Sequence, residues 1–255
     1  MLSGSEYKKI TETSDSQKKR EYWNTAIGLQ QVDGLVPSDY LLELAEQNIA
    51  GKLSYAQVED SLAKHYAAQD FAIQSHREMQ EADIVSSRIV QALDTMVFAL
   101  SPDMLKGIHA WLFSATKSVG ENAGLIRTYD IMKDEPILFG KSVHYSNHLY
   151  ITPTLNTFFQ RESVAMREYG YPFTNEQLQQ LARFTADIWH VHPFVEGNTK
   201  TIAVFIELYL RWLGYDIDNT PFEKHAHYFR DALVRASYFN NRLGVPQTTE
   251  YLQRF

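Results

Sequence analysis

Apolar residues recur at helical spacing along most of this chain, and the places where the rhythm stops are as informative as the rhythm. Between Pro37-Ser38 and Gly51, leucine, alanine and isoleucine fall at Leu41, Leu42, Leu44, Ala45 and Ile49, one face of a short α-helix with a start and a stop signal. Ser54 with Gln57 forms a capping-box signature ahead of Val58, Leu62 and Tyr66, which predicts a second short helix. A long helical segment follows from about Asp70 to Leu100, with Ile84, Ile89, Leu93, Met96, Val97 and Leu100 on its apolar side. Met104 to Phe113 repeats the pattern through Leu105, Ile108 and Leu112. Thr174 with Gln177 opens another helix, whose Leu178, Leu181, Ala182, Phe184, Ile188 and Trp189 face a core. Ile202 to Leu213 is apolar almost all round and stops at Gly214; residues 221 to 241 read as an amphipathic helix, and 246 to 255 as the start of one more.

Only residues 120 to 153 break the period. They hold Gly120, Gly124, Pro136, Gly140 and Pro153 between short β-prone runs, which predicts loops and a small hairpin near 137 to 152. The fold class expected is therefore all-α, a helical bundle with one small β-hairpin. Residues 1 to 20, rich in Ser, Thr, Lys and Glu, read as a mobile tail, 21 to 68 as an N-terminal helical region and 69 to 255 as the main domain.

Composition narrows the function classes. The net charge of −7 disfavours direct nucleic-acid binding, which wants a basic field. The absence of cysteine excludes disulfides, thiolate metal sites and cysteine nucleophiles, and fits a cytoplasmic setting. No stretch approaches the roughly 18 apolar residues that span a bilayer, since Glu207 and Arg211 interrupt the most apolar run, and the N-terminus has no apolar core of a signal peptide. No membrane is expected as a partner.

The richest chemistry sits in one strip, His192-Pro-Phe-Val-Glu-Gly-Asn-Thr-Lys200, immediately ahead of the apolar helix. A glycine turn opening into a helix presents free N–H groups and the positive end of the helix dipole to an anion. Lys200 adds a full charge, Glu196 is a hard oxygen ligand, and His192 has an ordinary pKa close to working pH. His190, His225 and His227 lack the spacing of helical metal ligands and are assigned no metal.

The strip resembles the signature of the Fic family, His-Pro-Phe-x-(Asp/Glu)-Gly-Asn-x-Arg. It matches at His192, Pro193, Phe194, Glu196, Gly197 and Asn198 and departs at Lys200, where the family has arginine. The resemblance implies a protein adenylyltransferase, transferring AMP from ATP to a hydroxyl side chain of a target protein. In that reading His192 is the general base and Glu196 holds Mg²⁺. Gly197, Asn198 and Thr199 form the phosphate nest, Lys200 replaces the arginine that contacts the outer phosphates, and Phe194 is the core anchor that fixes the turn. Lysine replaces a planar fork by a point charge, and a second arginine found three residues on in many relatives is Ala203 here, so less positive charge holds the outer phosphates.

The resemblance extends to other segments. Gly124-Leu-Ile-Arg127, Glu135-Pro-Ile-Leu-Phe-Gly140 and Ser142-Val143-His144-Tyr145 resemble the flap that docks the target segment by β-pairing, with Arg127 structural and paired to a carboxylate. Tyr228, Phe229 and Ser237 resemble the wall of the adenine pocket, although aromatic residues there also suit an ordinary core, and many relatives carry asparagine where Ser237 stands. The helices of residues 37 to 66 resemble the antitoxin-like region that accompanies many Fic domains; a plain bracing hairpin is the alternative. The inhibitory Ser/Thr-x-x-x-Glu-(Gly/Asn) run of many relatives is not evident.

The close run Gly197-Asn-Thr-Lys-Thr201 looks like the bacterial toxin-like branch, some of whose members modify type II topoisomerases, so such an enzyme is a candidate target. A second copy of the chain also stays open as a partner. Two alternatives stand beside adenylylation: Doc-like phosphotransfer, and a non-catalytic regulator that uses the fold as a binding module.

Overall fold

The computed structural model describes residues 15–67 and 74–255. Among these lie ten α-helices: α1 Asp15–Leu29, α2 Asp39–Ile49, α3 Tyr55–Ala67, α4 Gln74–Thr95, α5 Pro102–Phe113, α6 Ile151–Ala165, α7 Asn175–Val191, α8 Asn198–Trp212, α9 Thr220–Ser237 and α10 Glu250–Gln253. The only sheet among them pairs β1 Asp134–Glu135 with β2 Lys141–Ser142, antiparallel, in the register Asp134 to Ser142 and Glu135 to Lys141.

The start signals act as the sequence predicts. Ser38 caps α2 by accepting from Leu41 N, Ser54 and Gln57 exchange the reciprocal bonds of a capping box, and Thr174 and Gln177 do the same for α7.

Four expectations shift. The long helix expected over Asp70 to Leu100 ends at Thr95, which leaves Met96, Val97 and Leu100 off its apolar face and Val97 exposed, while residues 70–73 lie outside the described residues. The hairpin lies at 134–142 rather than 137–152, because Pro136 to Leu138 close a 3₁₀ turn and the chain beyond Tyr145 turns into α6. Helix α6 forms where Pro153 suggests a loop; proline is tolerated in a first turn, whose N–H groups have no partner anyway. Helix α1 begins at Asp15, so residues 15–20 of the segment read as a tail are helical, while residues 1–14 lie outside the described residues. The polar run Asp15–Arg20 hides the apolar face that Tyr22, Trp23, Ala26 and Leu29 form further along.

Helix α8 is the axis. Every residue from Asn198 to Tyr209 is buried, and α4, α5 and α7 pack around it, which its all-round apolar sequence requires. Helix α1 lies against α4 and α9, and one continuous hydrophobic core runs from Tyr22 to Leu252. Polar ties fix the N-terminal helices: Trp23 Nε1 donates to Asn48 at 3.0 Å, and buried Asp83 accepts from Ser38 N at 2.8 Å and from the Tyr66 hydroxyl at 2.6 Å. Arg211 of α8 stacks over Tyr22 of α1 with 4.8 Å to the ring centre.

Helices α1 and α9 touch backbone to backbone at Gly28. A Cβ there would lie 2.3 Å from the Phe222 carbonyl oxygen and 2.7 Å from Glu223 Cα. Since the chain leaves α1 through a 3₁₀ turn ending at Asp33, this contact also sets where Asp33 goes. Gly28→Ala is expected to lower stability by about 1–3 kcal/mol, the usual cost of forcing atoms into a packed interface. A urea denaturation curve with an unchanged midpoint would refute the close approach.

Candidate active site

The chain reverses between α7 and α8 through Pro193 to Gly197, and the reversal is held on every side. His192 ends α7 in the left-handed region, φ 50° and ψ 61°, a conformation that costs a non-glycine residue on the order of 1–3 kcal/mol unless its surroundings impose it. Arg127 imposes it. Its side chain, fully buried, donates to the carbonyl of His192 at 2.8 Å, to Tyr129 O at 2.8 Å, to Val191 O at 3.3 Å and to Ser146 O, while its own N–H reaches Pro193 O at 2.9 Å. The carboxylate partner that the sequence suggests is there, Asp130 at 3.5 Å, but the guanidinium serves chiefly as a clamp on main-chain carbonyls.

The loop also staples itself. Asn198 accepts from Phe194 N at 3.0 Å and donates to Phe194 O at 2.8 Å, and Trp189 Nε1 donates to the Thr199 hydroxyl at 3.0 Å. Gly197 has φ 78°, and a Cβ on it would meet the Phe113 ring at 2.5 Å, so glycine is required twice over. No side chain caps the start of α8. Its first N–H groups therefore have no partner inside the helix.

His109 of α5 supports the loop from below. Its ring stacks on Phe194 at 3.8 Å between centroids, Gly124 N–H donates to Nδ1 at 2.7 Å, and the ring therefore carries its hydrogen on Nε2, which donates to Glu196 O at 3.0 Å. Burial pushes its pKa down to about 4, against a backbone bond to Glu196 that acts the other way.

His192 is oriented by the same logic. Its Nδ1 lies 3.3 Å from the Trp189 carbonyl, which can only accept, so the hydrogen sits on Nδ1 and Nε2 keeps a free lone pair. Tyr145 lies flat over the imidazole, 3.9 Å between centroids, and Trp189 meets its edge. Burial pushes the His192 pKa down to about 3, against the Trp189 bond; the positive charges of Arg230, Arg127 and Lys133 depress it further. At neutral pH the side chain is an uncharged, covered base.

Around it stand charges that sequence reasoning did not assemble. Lys200, only 1% exposed, pairs its Nζ with Asp33 Oδ2 at 2.9 Å. The other Asp33 oxygen lies 3.4 Å from Arg230 Nη1 on α9. Arg230 Nη2 reaches both oxygens of buried Glu135 at 3.1 Å, and Glu135 accepts the Tyr145 hydroxyl at 3.2 Å. Burial alone would raise the Asp33 pKa; Lys200, then Arg230 and Lys133, hold it below the ordinary carboxylate value. Glu196 is exposed, with Lys133 Nζ 4.0 Å away.

Residues 99–210 match the family described as Fic/DOC. Those residues are a Fic/DOC domain. Over 142 residues, 54% of this chain and 26% of the relative, the sequence is 32% identical to protein adenylyltransferase VbhT of Bartonella schoenbuchensis. Over 53 residues, 21% of this chain and 27% of the relative, it is 40% identical to the probable protein adenylyltransferase y4lH of Sinorhizobium fredii. The chain thus spans about a quarter of the length of each of these curated relatives.

Within and beside the Fic/DOC domain the expected site residues separate. His192, Glu196, Gly197 and the start of α8 share the loop; the Asn198 side chain bridges the Phe194 backbone and the Thr199 hydroxyl accepts from Trp189, so the backbone N–H groups of this turn are the donors it offers an anion. Phe194 is buried in the core. On the flap, Val143 is buried, Ser142 is half-buried and bonds locally to Val143 O, His144 is exposed, and Tyr145 covers His192; the exposed tip is Phe139. Phe229 packs with Phe222 and Phe255 and lines an apolar cavity of about 160 Å³, Tyr228 lies partly exposed beside Phe255, and Ser237 is buried with an unpartnered hydroxyl. Among the described residues no group of three His, Asp or Glu is arranged to hold a metal, and no helix is long and apolar enough to cross a membrane. A divalent cation would fit Glu196, an exposed carboxylate, only if a ligand supplied the remaining oxygens.

His109→Phe keeps the stack on Phe194 but strands the Gly124 N–H and the Glu196 carbonyl, and is expected to lower stability by about 2 kcal/mol at pH 8. The native ring stays neutral down to about pH 4, while the unfolded ring takes its proton near 6.5. His109 therefore makes the folded state lose stability as pH falls from 6.5 towards 4, and denaturation curves of the variant should depend less on pH across that window.

Proposed function

We propose that this chain catalyses nucleotidyl transfer, moving AMP from ATP to a hydroxyl side chain of a target protein. The observation that carries the reading is the juxtaposition, across one clamped loop, of a neutral histidine with a free Nε2 and an uncapped helix start backed by a buried lysine. The names of the two curated relatives support the same reaction class.

In this reaction Nε2 of His192 accepts the proton of the target hydroxyl, whose oxygen bonds to the α-phosphorus; the bond from that phosphorus to the bridging oxygen breaks, and pyrophosphate leaves. The N–H groups at the start of α8 and the charge of Lys200 hold phosphate oxygens and take up the charge that develops on them. Mg²⁺, held by Glu196 together with phosphate oxygens, would supply further charge neutralisation. A histidine with a pKa near 3 is a weak base. The negative charge of a bound triphosphate raises that pKa towards the useful range, so the base strengthens when the nucleotide arrives. Tyr145 packs on the face of His192 and so fixes the tilt of the ring, while a hydroxyl approaches the Nε2 lone pair in the ring plane; the exposed flap tip at Phe139 is where a target segment would first engage.

Incubation with Mg²⁺ and ATP carrying label at either the α or the γ phosphate tests the reading, with a bacterial lysate and a purified type II topoisomerase as acceptors. Label from the α position is expected on protein, and His192→Ala should abolish it. Incorporation from the γ position alone would overturn adenylylation in favour of phosphotransfer. No incorporation from either label would favour a binding module.

A further inference from the structure

We propose that Arg230 is the second phosphate-binding cation of this site, forming with Lys200 a two-cation seat for the outer phosphates of the nucleotide, and that the Asp33 carboxylate occupies this seat until the nucleotide displaces it. The inference rests on the proposed function for the identity of the anion, but not for the existence of the seat.

The loop and helix that carry His192 contribute one cation, Lys200, and the next turn offers Ala203. The fold brings the second from α9. Glu135 grips Nη2 of Arg230 through both carboxylate oxygens, which leaves Nη1 directed at Asp33. Lys200 and Arg230 each face one oxygen of the same carboxylate, at 2.9 and 3.4 Å. A phosphoryl group presents two oxygens with a similar bite and more charge.

The lysine is the independent sign that the seat is made for a ligand. Its ammonium is 1% exposed and meets one carboxylate oxygen of Asp33 at 2.9 Å, with no other partner among the described groups. A buried ammonium has three donors and Asp33 takes only one of them, whereas a cluster of phosphate oxygens would serve more. The position of Asp33 fits a displaceable occupant. It lies outside the helical core on the 3₁₀ turn after α1, and its side chain is 29% exposed while that of Lys200 behind it is closed off. Arg230 keeps Glu135 as a partner when Asp33 departs, so its guanidinium stays in place to receive the incoming anion.

Calorimetric titration with inorganic tripolyphosphate, without metal, reads the seat directly. Asp33→Asn is expected to bind it about tenfold or more tightly than the unaltered protein, because an occupant that must be displaced lowers apparent affinity by the fraction of open sites. Arg230→Lys keeps a charge for Glu135 but loses the second arm; placed on Asp33→Asn, it should remove most of that gain. Equal affinity with and without Arg230→Lys would overturn the role of Arg230. Unchanged affinity in Asp33→Asn would overturn the occupied seat and leave Asp33 a structural ion-pair partner. Should Asp33→Asn fail to fold, the rise in melting temperature on adding tripolyphosphate still decides: it should be smaller for Arg230→Lys alone than for the unaltered protein, and an equal rise would refute the proposal. Tripolyphosphate binding that follows Arg230 without any label transfer from ATP would retain the seat and discard the transferase reading.

Discussion

A buried ammonium at the start of a buried helix is the constraint around which this molecule is arranged. Lys200 cannot be solvated, and an isolated charge in such a place costs several kcal/mol. Helix α8 cannot turn Lys200 outward either, because α4, α5 and α7 surround it. Some anion must therefore come to it. In this structure the anion is Asp33, brought by α1, which in turn is located by the bare backbone contact at Gly28 and the stack of Tyr22 on Arg211. The N-terminal helices are thus tied to the electrostatics of the site as well as to the hydrophobic core.

The same charges reach the base. Arg230 links Asp33 to Glu135, Glu135 holds the Tyr145 hydroxyl, and Tyr145 covers His192. A change at the anion seat is therefore connected through two side chains to the group lying on the imidazole. Arg127 and His109 do a different job. They hold the loop in one shape whichever anion is present, one by binding carbonyls on either side of His192 and the other by bridging Gly124 to Glu196. Preorganisation of this kind allows a strained αL histidine to persist.

Much of this was legible in the chain because it depends on local pattern. Helix starts at Ser38, Ser54 and Thr174 follow from side chains that cap their own backbone, and the strip from His192 to Lys200 shows its chemistry in consecutive residues. The position of the hairpin is not legible in the chain, since two-residue strands leave no alternation to detect and the turn chemistry of Pro136 to Gly140 sets the register. That the Asn198 side chain bridges Phe194 and the Thr199 hydroxyl accepts from Trp189 is not legible in the strip, being a matter of which neighbour lies within reach after folding.

By itself the sequence determined the helical class and the Fic-like strip that holds His192 and Glu196, because each is carried by residues near one another in the chain. The tertiary structure alone decided what faces Lys200. Asp33, Glu135 and Arg230 lie far apart in sequence and meet only because α1, the flap and α9 converge on the start of α8. Charge interacts with whatever is close in space, and spacing along the chain says nothing of that until the core has formed.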